Sequence, residues 1–489
     1  MTRAGIDPIA TIHVMEDHDR AFDIWREAGV RDRILVHFDG HLDFSWIADR
    51  PLESLLAASS SSELDRLLAQ GMSGWNLHNR SLREQVHYGN YIYAAMREGV
   101  VGQFYWVMPD PFWATQRARR CIQRSLEQMA RQRPADAGPI EVLESGLRMT
   151  VLGRPLVACT LQHLPRFKEP VLLDLDVDYF LTPPEENRMP PGVDMQPAEP
   201  WLRPAEFLRR LAKLEIPTDL VTIAYSVGGF HTPLRFRFYG DIVHAALTHP
   251  NVPVGDRPFE GSAAEAYAAA LAAIEAGDLA AARLHWAQMS ELDPCYRTPE
   301  AIPGRREEAE RRWRRALQIY ETMIEVDPTW SEPQLGQGRV LWRLGQYDRA
   351  ESSFREARRL AAGATQATYW MGRCAARRGQ WVEAEQYWTE AVAQDPRETF
   401  TWQALAELAA RRGDSAAAIA NAERSIAAGS SASSIHRLMD RQARRLGRRR
   451  LARRELRLWM IRLLEALRRR SLLWRRRLTN RGGSNVRWS

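Results

Sequence analysis

Two apolar runs, each ending in acids at alternate positions, constrain this chain more than any other feature. Ile34, Leu35, Val36 and Phe38 read as a buried strand, and Asp39, His41 and Asp43 follow at every second position. In extended backbone, side chains two apart share a face, so two carboxylates and an imidazole converge at the strand's end. Gly40 between them permits close approach or unusual backbone angles. Val171 to Phe180 repeats the arrangement, with Asp174, Asp176 and Asp178 alternating behind an apolar start. Carboxylates crowded on one face repel one another and are costly to desolvate. A bound divalent cation is the usual remedy, and a carboxylate and imidazole set suits manganese or zinc.

The surrounding chain alternates strand and helix. Ile9 to Val14 reads as a first strand, and Glu16-Asp17-His18-Asp19 lead into a helix over Arg20 to Ala28. His18 and the Asp39 to Asp43 group therefore occupy loops after strands, which line the ligand crevice of an open parallel sheet. A helix is expected over Pro51 to Leu68, then a polar stretch over 71–90 that holds His78 and His87. Further strands fall at Val100 to Met108, 148–152, 155–160 and Leu220 to Ser226. Basic helix 114–133 and helix Pro204 to Glu215 separate them, and Gly228-Gly229-Phe230-His231 follows the last strand. This alternation predicts an α/β, doubly wound three-layer domain with a mainly parallel sheet.

From about residue 262 the pattern changes to alanine-rich helix with a period of 34. Ala282, Ala316, Ala350, Ala384 and Ala418 keep that step, as do Gly345, Gly379 and Gly413, and as do Asp293-Pro294 and Asp327-Pro328. This is tetratricopeptide spacing, one helix-turn-helix per unit, stacking into an all-α solenoid with a concave peptide-binding surface. The unit near 311 lacks its glycine. The expected organisation is an α/β domain over 1–250, a Pro-rich linker over 251–261, repeats over 262–440 and an Arg-rich helical tail over 441–489. The 489-residue chain carries +7 overall, but its last 49 residues hold 18 Arg and two Glu, which leaves −9 for the rest. Leu446, Leu451, Leu456, Trp459, Leu463 and Leu467 recur there at near-helical spacing, as in a helix that caps the solenoid. An acidic peptide, a membrane surface or nucleic acid are the other contacts such a tail fits. Four scattered cysteines without metal or redox spacing, no signal pattern and no long apolar run point to a cytoplasmic chain without a transmembrane segment.

The first 245 residues resemble the arginase–deacetylase superfamily, most closely the branch that includes the peptide arginases. His18 takes the place of the family's early histidine, and Asp39, His41 and Asp43 match its D-x-H-x-D. The late D-x-D falls on Asp176 and Asp178, or on Asp174 and Asp176 two residues earlier. The resemblance implies two manganese ions, with zinc or iron(II) as substitutes, bridged by Asp39 and one late aspartate. Asp43 is implied to carry a proton, and His87 and His231 are candidate relays. Three departures stand out. Ser45 replaces the asparagine that grips a free α-carboxylate, which suits a peptide substrate. The late strand offers no glutamate for a guanidinium, so Glu16, Asp17, Asp19 or an acid elsewhere must receive it, or the substrate is not a guanidine. No histidine is placed as a relay by its motif alone.

These observations predict a two-metal hydrolase that converts arginine side chains of a peptide or protein to ornithine and urea, its substrate held by the repeats. A metal-dependent deacetylase acting on modified lysine or a polyamine is the enzymatic alternative. A non-catalytic repeat scaffold with a degenerate metal site is the other.

Overall fold

The computed structural model describes residues 11–44, 89–181, 200–227, 232–249, 254–309, 311–361, 364–396, 398–428 and most of 430–460. The expected helix at Pro51 to Leu68, Ser45, His78, His87, His231 and the tail beyond 460 lie outside them. The described residues fall into two compact units, one ending at Thr329 and one beginning at Trp330.

The first unit is built on one eight-stranded sheet, ordered β1-β8-β7-β2-β3-β6-β5-β4. Its strands are β1 (Thr11–Met15), β2 (Arg33–Phe38), β3 (Val101–Val107), β4 (Glu141–Leu143), β5 (Gly146–Val151), β6 (Arg154–Cys159), β7 (Val171–Asp176) and β8 (Thr218–Ala224). Pairing is parallel from β1 through β6, while β5 and β4 add an antiparallel hairpin edge. β7 is buried from end to end, which is why it reads as an unbroken apolar run interrupted only by aspartates.

Helices cover both faces. On one, α1 (Asp19–Glu27) and α2 (Tyr91–Glu98) meet through Trp25 and Tyr91, ring centroids 5.8 Å apart. On this face His37 of β2 lies against Phe104, with 5.9 Å between rings. The next residue, Phe38, must point the opposite way, and it packs on Phe207 with centroids 5.3 Å apart. Phe207 belongs to the helix Pro204–Ala212. Apolar side chains on both faces thus clamp the sheet centre, while the loops after β1, β2 and β7 remain for polar work.

Three repeat helices, Ala263–Ala276, Leu279–Leu292 and Trp313–Val326, belong to this first unit with the sheet. Arg237, just before the helix Phe238–Thr248, reaches them: its Nε lies 3.8 Å from Asp293 Oδ2. The compact unit therefore extends past the expected 251–261 linker.

The second unit is all helical. Ser331–Arg343, Tyr347–Leu360, Thr365–Arg377, Trp381–Gln394, Thr399–Arg411, Ser415–Ala427 and Ser433–Arg445 pair as hairpins. Each turn places a glycine in left-handed conformation, with φ of +79° at Gly345, +77° at Gly379 and +84° at Gly413. The period continues past residue 440, to Gly447 at φ +68° and a buried Ala452, so the Arg-rich segment starts as one more hairpin. Arg311, in the glycine column, keeps the left-handed angle at φ +60°. A non-glycine residue there carries a steric penalty, and only the repeat geometry explains why it persists.

Candidate metal centre

Strand register explains how distant residues meet. His37 of β2 stands opposite Asp174 of β7, and Asp174 stands opposite Thr222 of β8. Asp39 follows β2 directly, and its carbonyl accepts from Trp106 Nε1 at 3.0 Å. Asp178 lies in the helical turn after β7, where the Gly40 amide donates to its Oδ1 at 3.0 Å. His18 occupies the N-cap position of α1, fully buried. Asp43 and Ser226, at the rim of this cluster, both take left-handed backbone, φ +47° and +53°. Such conformations are tolerated where surroundings over-determine them, as at binding sites.

Five carboxylates and three imidazoles gather here. His18 Nδ1 lies 3.4 Å from Asp39 Oδ2, 3.6 Å from Asp43 Oδ2 and 3.3 Å from Asp176 Oδ2. On the other side, His41 Nδ1 lies 3.4 Å from Asp39 Oδ1 and 2.6 Å from Asp178 Oδ2. The two oxygens of Asp39 thus face different sets, and Asp39 is common to the groups His18–Asp39–Asp176 and Asp39–His41–Asp178. Within each group the candidate ligand atoms all lie within 4.8 Å of one another.

The residues fit a cation chemically. Both ring nitrogens of His18, Nε2 of His37 and Oδ2 of Asp39 are buried without a hydrogen-bond partner. Leaving such atoms unmet costs roughly 1–3 kcal/mol each, more for charged ones, and a divalent ion would satisfy several at once. Asp174 differs, because Tyr91 Oη donates to its Oδ2 at 2.7 Å, Thr222 Oγ1 to its Oδ1 at 2.5 Å, and His37 Nδ1 sits 2.8 Å from Oδ2. Asp176 is met by Ser226 Oγ and by the Asp178 amide.

Electrostatics bear the same mark. Burial alone would push the His18 imidazole down, but Asp174 and Asp176 overcome it and hold it well above its ordinary range. Burial lowers His41 likewise, and Asp178 lifts it well above. Burial works against the Asp39 charge, yet His37, His18 and His41 hold its carboxyl well below the usual range. Burial, then Asp178 and Asp39, push Asp176 well above it. Asp43 rises to about 6, by burial and then by the charge of Asp39.

Of the residues expected from sequence, His18, Asp39, His41, Asp43, Asp174, Asp176 and Asp178 are brought together. Glu16 is turned to Arg237, whose Nη1 lies 3.1 Å from its Oε2. Burial and the neighbouring Glu16 charge raise Asp17 to about 6. Asp19 is fully buried, and burial with the neighbouring Asp17 charge raises it to about 7. Ser45, His87 and His231 are outside the described residues. The residue that sequence reasoning missed is His37. It keeps the same two-residue step as Asp39 and His41, a signal hidden inside the apolar run.

In the second unit, Trp388 is buried and donates to the Tyr369 carbonyl at 3.1 Å, while Trp370 stacks on Phe354 with centroids 5.2 Å apart. Arg411 lies over the Trp381 ring at 4.4 Å and Arg424 over Trp402 at 5.0 Å. A tetratricopeptide-repeat family profile matches residues 335–399. Repeats of this kind mediate protein–protein contact. Solved structures similar to this chain include MamA, at 16% identity and TM-score 0.30, covering 34% of this chain and 97% of that one. The Pseudomonas aeruginosa pilF structure is similar at 16% identity and TM-score 0.32, covering 41% and 91% respectively. Cut9 in complex with Hcn1 is similar at 15% identity and TM-score 0.34, covering 47% and 44%. No curated protein matches the chain. Among the described residues no helix is long and apolar enough to cross a membrane.

Proposed function

We propose that the first unit is a two-cation hydrolase of C–N bonds, acting on arginine side chains within a peptide or protein that the repeats hold. The observation that carries this reading is Asp39, whose two oxygens serve two separate donor sets. His18, Asp39, Asp43 and Asp176 would hold one divalent cation, manganese or zinc by their chemistry, and Asp39, His41 and Asp178 the second. Two such ions acidify a water and stabilise the charge that builds as it attacks. The chain's own groups supply the rest. Asp43, with its Oδ2 3.6 Å from His18 Nδ1, stands where it could pass a proton between the attacking water and the leaving amine. Asp19, buried next to His18 in the chain, is the acid we assign to a guanidinium, whose positive charge would favour its ionised form, whereas Glu16 is already engaged by Arg237. Holding the peptide remotely raises its effective concentration at the centre.

The test is direct. Full-length protein loaded with manganese is incubated with arginine-containing peptides and followed by mass spectrometry. Loss of CH2N2 per arginine with release of urea is expected. Loss of acetyl groups from acetyl-lysine peptides, with arginine untouched, would move the reading to a deacetylase. Well under one ion per chain after manganese loading would leave the repeats as a scaffold.

A further inference from the structure

The fully buried His37 belongs to neither donor set assigned above. Its Nδ1 lies 2.8 Å from Asp174 Oδ2 and its Nε2 lies 3.1 Å from Asp39 Oδ2. These two contacts are not alike. The first is a hydrogen bond in which Nδ1 meets a carboxylate, so Nε2 is the nitrogen turned toward Asp39. The second joins Nε2 to a buried carboxylate that already serves both donor sets, and Nε2 forms with Asp39 and Asp43 a further group whose candidate ligand atoms all lie within 4.8 Å of one another.

Asp174 shows the complementary pattern. Its Oδ2 accepts from Tyr91 and from His37, and its Oδ1 accepts from Thr222. Its Oδ1 also faces His18 Nε2 at 3.6 Å, behind the imidazole edge that points at Asp39 and Asp176. A carboxylate bonded this fully has little capacity left for a metal. A carboxylate holding the far nitrogen of an imidazole is, however, the usual support of a metal-binding histidine.

We propose that His37 is a ligand, through Nε2, of the cation on the His18 side, and that Asp174 is the positioning carboxylate behind it rather than a ligand. The assignment rests on the metal-centre reading above. It resolves the two-residue ambiguity of the late aspartates in favour of Asp176 and Asp178. It also makes the two positions unequal. The His18 side has two imidazoles and the His41 side one, so the first should prefer zinc or iron over harder ions more strongly than the second.

The test uses the full chain and zinc alone. Metal content is counted, and X-ray absorption at the zinc edge counts imidazoles per ion. Expected are two ions per chain, three imidazoles for every two ions at full loading, and two per ion when only the first equivalent is added. His37→Gln should remove one imidazole from that total. Asp174→Asn should keep two ions but weaken the first by roughly 10–100-fold. Two bound ions with a single imidazole each in the unaltered protein would overturn the assignment of His37 while leaving the metal centre standing. Fewer than one ion per chain would overturn both. The count on the unaltered protein decides the matter even if His37→Gln does not fold.

Discussion

Asp39→Asn is the sharpest perturbation of this centre. The substitution keeps the shape of the side chain and removes one charge. Asp39 Oδ2 serves the set around His18 at 3.4 Å, and Oδ1 serves His41 at 3.4 Å. Removing one partner of a buried charged pair costs about 3–5 kcal/mol. At about 1.4 kcal/mol per decade, that is a loss of roughly two to three and a half decades in affinity. Because one carboxylate serves both sets, both ions should weaken together. Asp178→Asn provides the contrast, since the Asp178 carboxylate belongs to the His41 donor set, its Oδ2 2.6 Å from His41 Nδ1. It should lose one ion and keep the other. Equilibrium dialysis against manganese, with metal counted per chain, separates the outcomes: near zero for Asp39→Asn and near one for Asp178→Asn. Two ions retained by Asp39→Asn, within about tenfold of the original affinity, would refute the shared-carboxylate argument. So would identical stoichiometry in the two variants.

The metal-free protein should lose stability as pH rises. Its imidazoles hold protons in the folded state that the unfolded chain releases near 6.5, and His37 holds its own to about 9, burial being outweighed by Asp39 and by the bond to Asp174. This contribution is complete below pH 6.5 and drains away between there and about 9, so thermal midpoints should fall over that window without metal and stay flatter with manganese; parallel curves would contradict it. Arg311→Gly should stabilise the repeat region, since relief of about 1–2 kcal/mol of left-handed strain exceeds the roughly 0.5–1 kcal/mol that glycine loses in the unfolded chain. Calorimetry should show a rise of about 1–4 °C, and a fall would mean that position 311 is not the column's missing glycine.

What could be read ahead of the structure followed from local pattern. Alternation located Asp39, His41 and Asp43, and the 34-residue step located the helical hairpins, because both signals repeat within a short window. Asp174 and Asp176 look identical at that level. Only their neighbours in other strands distinguish them: Asp174 stands between His37 and Thr222, with Tyr91 above, while Asp176 meets Ser226. Such neighbours come from sheet order, which no local spacing encodes. His37 was obscured for the opposite reason, since a polar residue inside Ile34 to Phe38 reads as part of the strand's interior. The repeats beyond 440 were hidden by arginines, which mask the buried Ala452 and the turn at Gly447.

Sheet order also sets when the centre can exist. Among the described residues, β1, which delivers His18, is paired only with β8, and β8 is the last strand of the sheet to leave the ribosome. Its partner segment begins at Thr218, so the early histidine has no seat while the intervening chain is being made. At about 5–20 residues per second, that delay is roughly 10–40 s. During it the acidic loop after β2 is exposed to ions without its other half, and loading must wait for closure. A chain truncated before β8 is therefore expected to be metal-free however intact its D-x-H-x-D segment, a property readable by stalling synthesis on either side of Ala224.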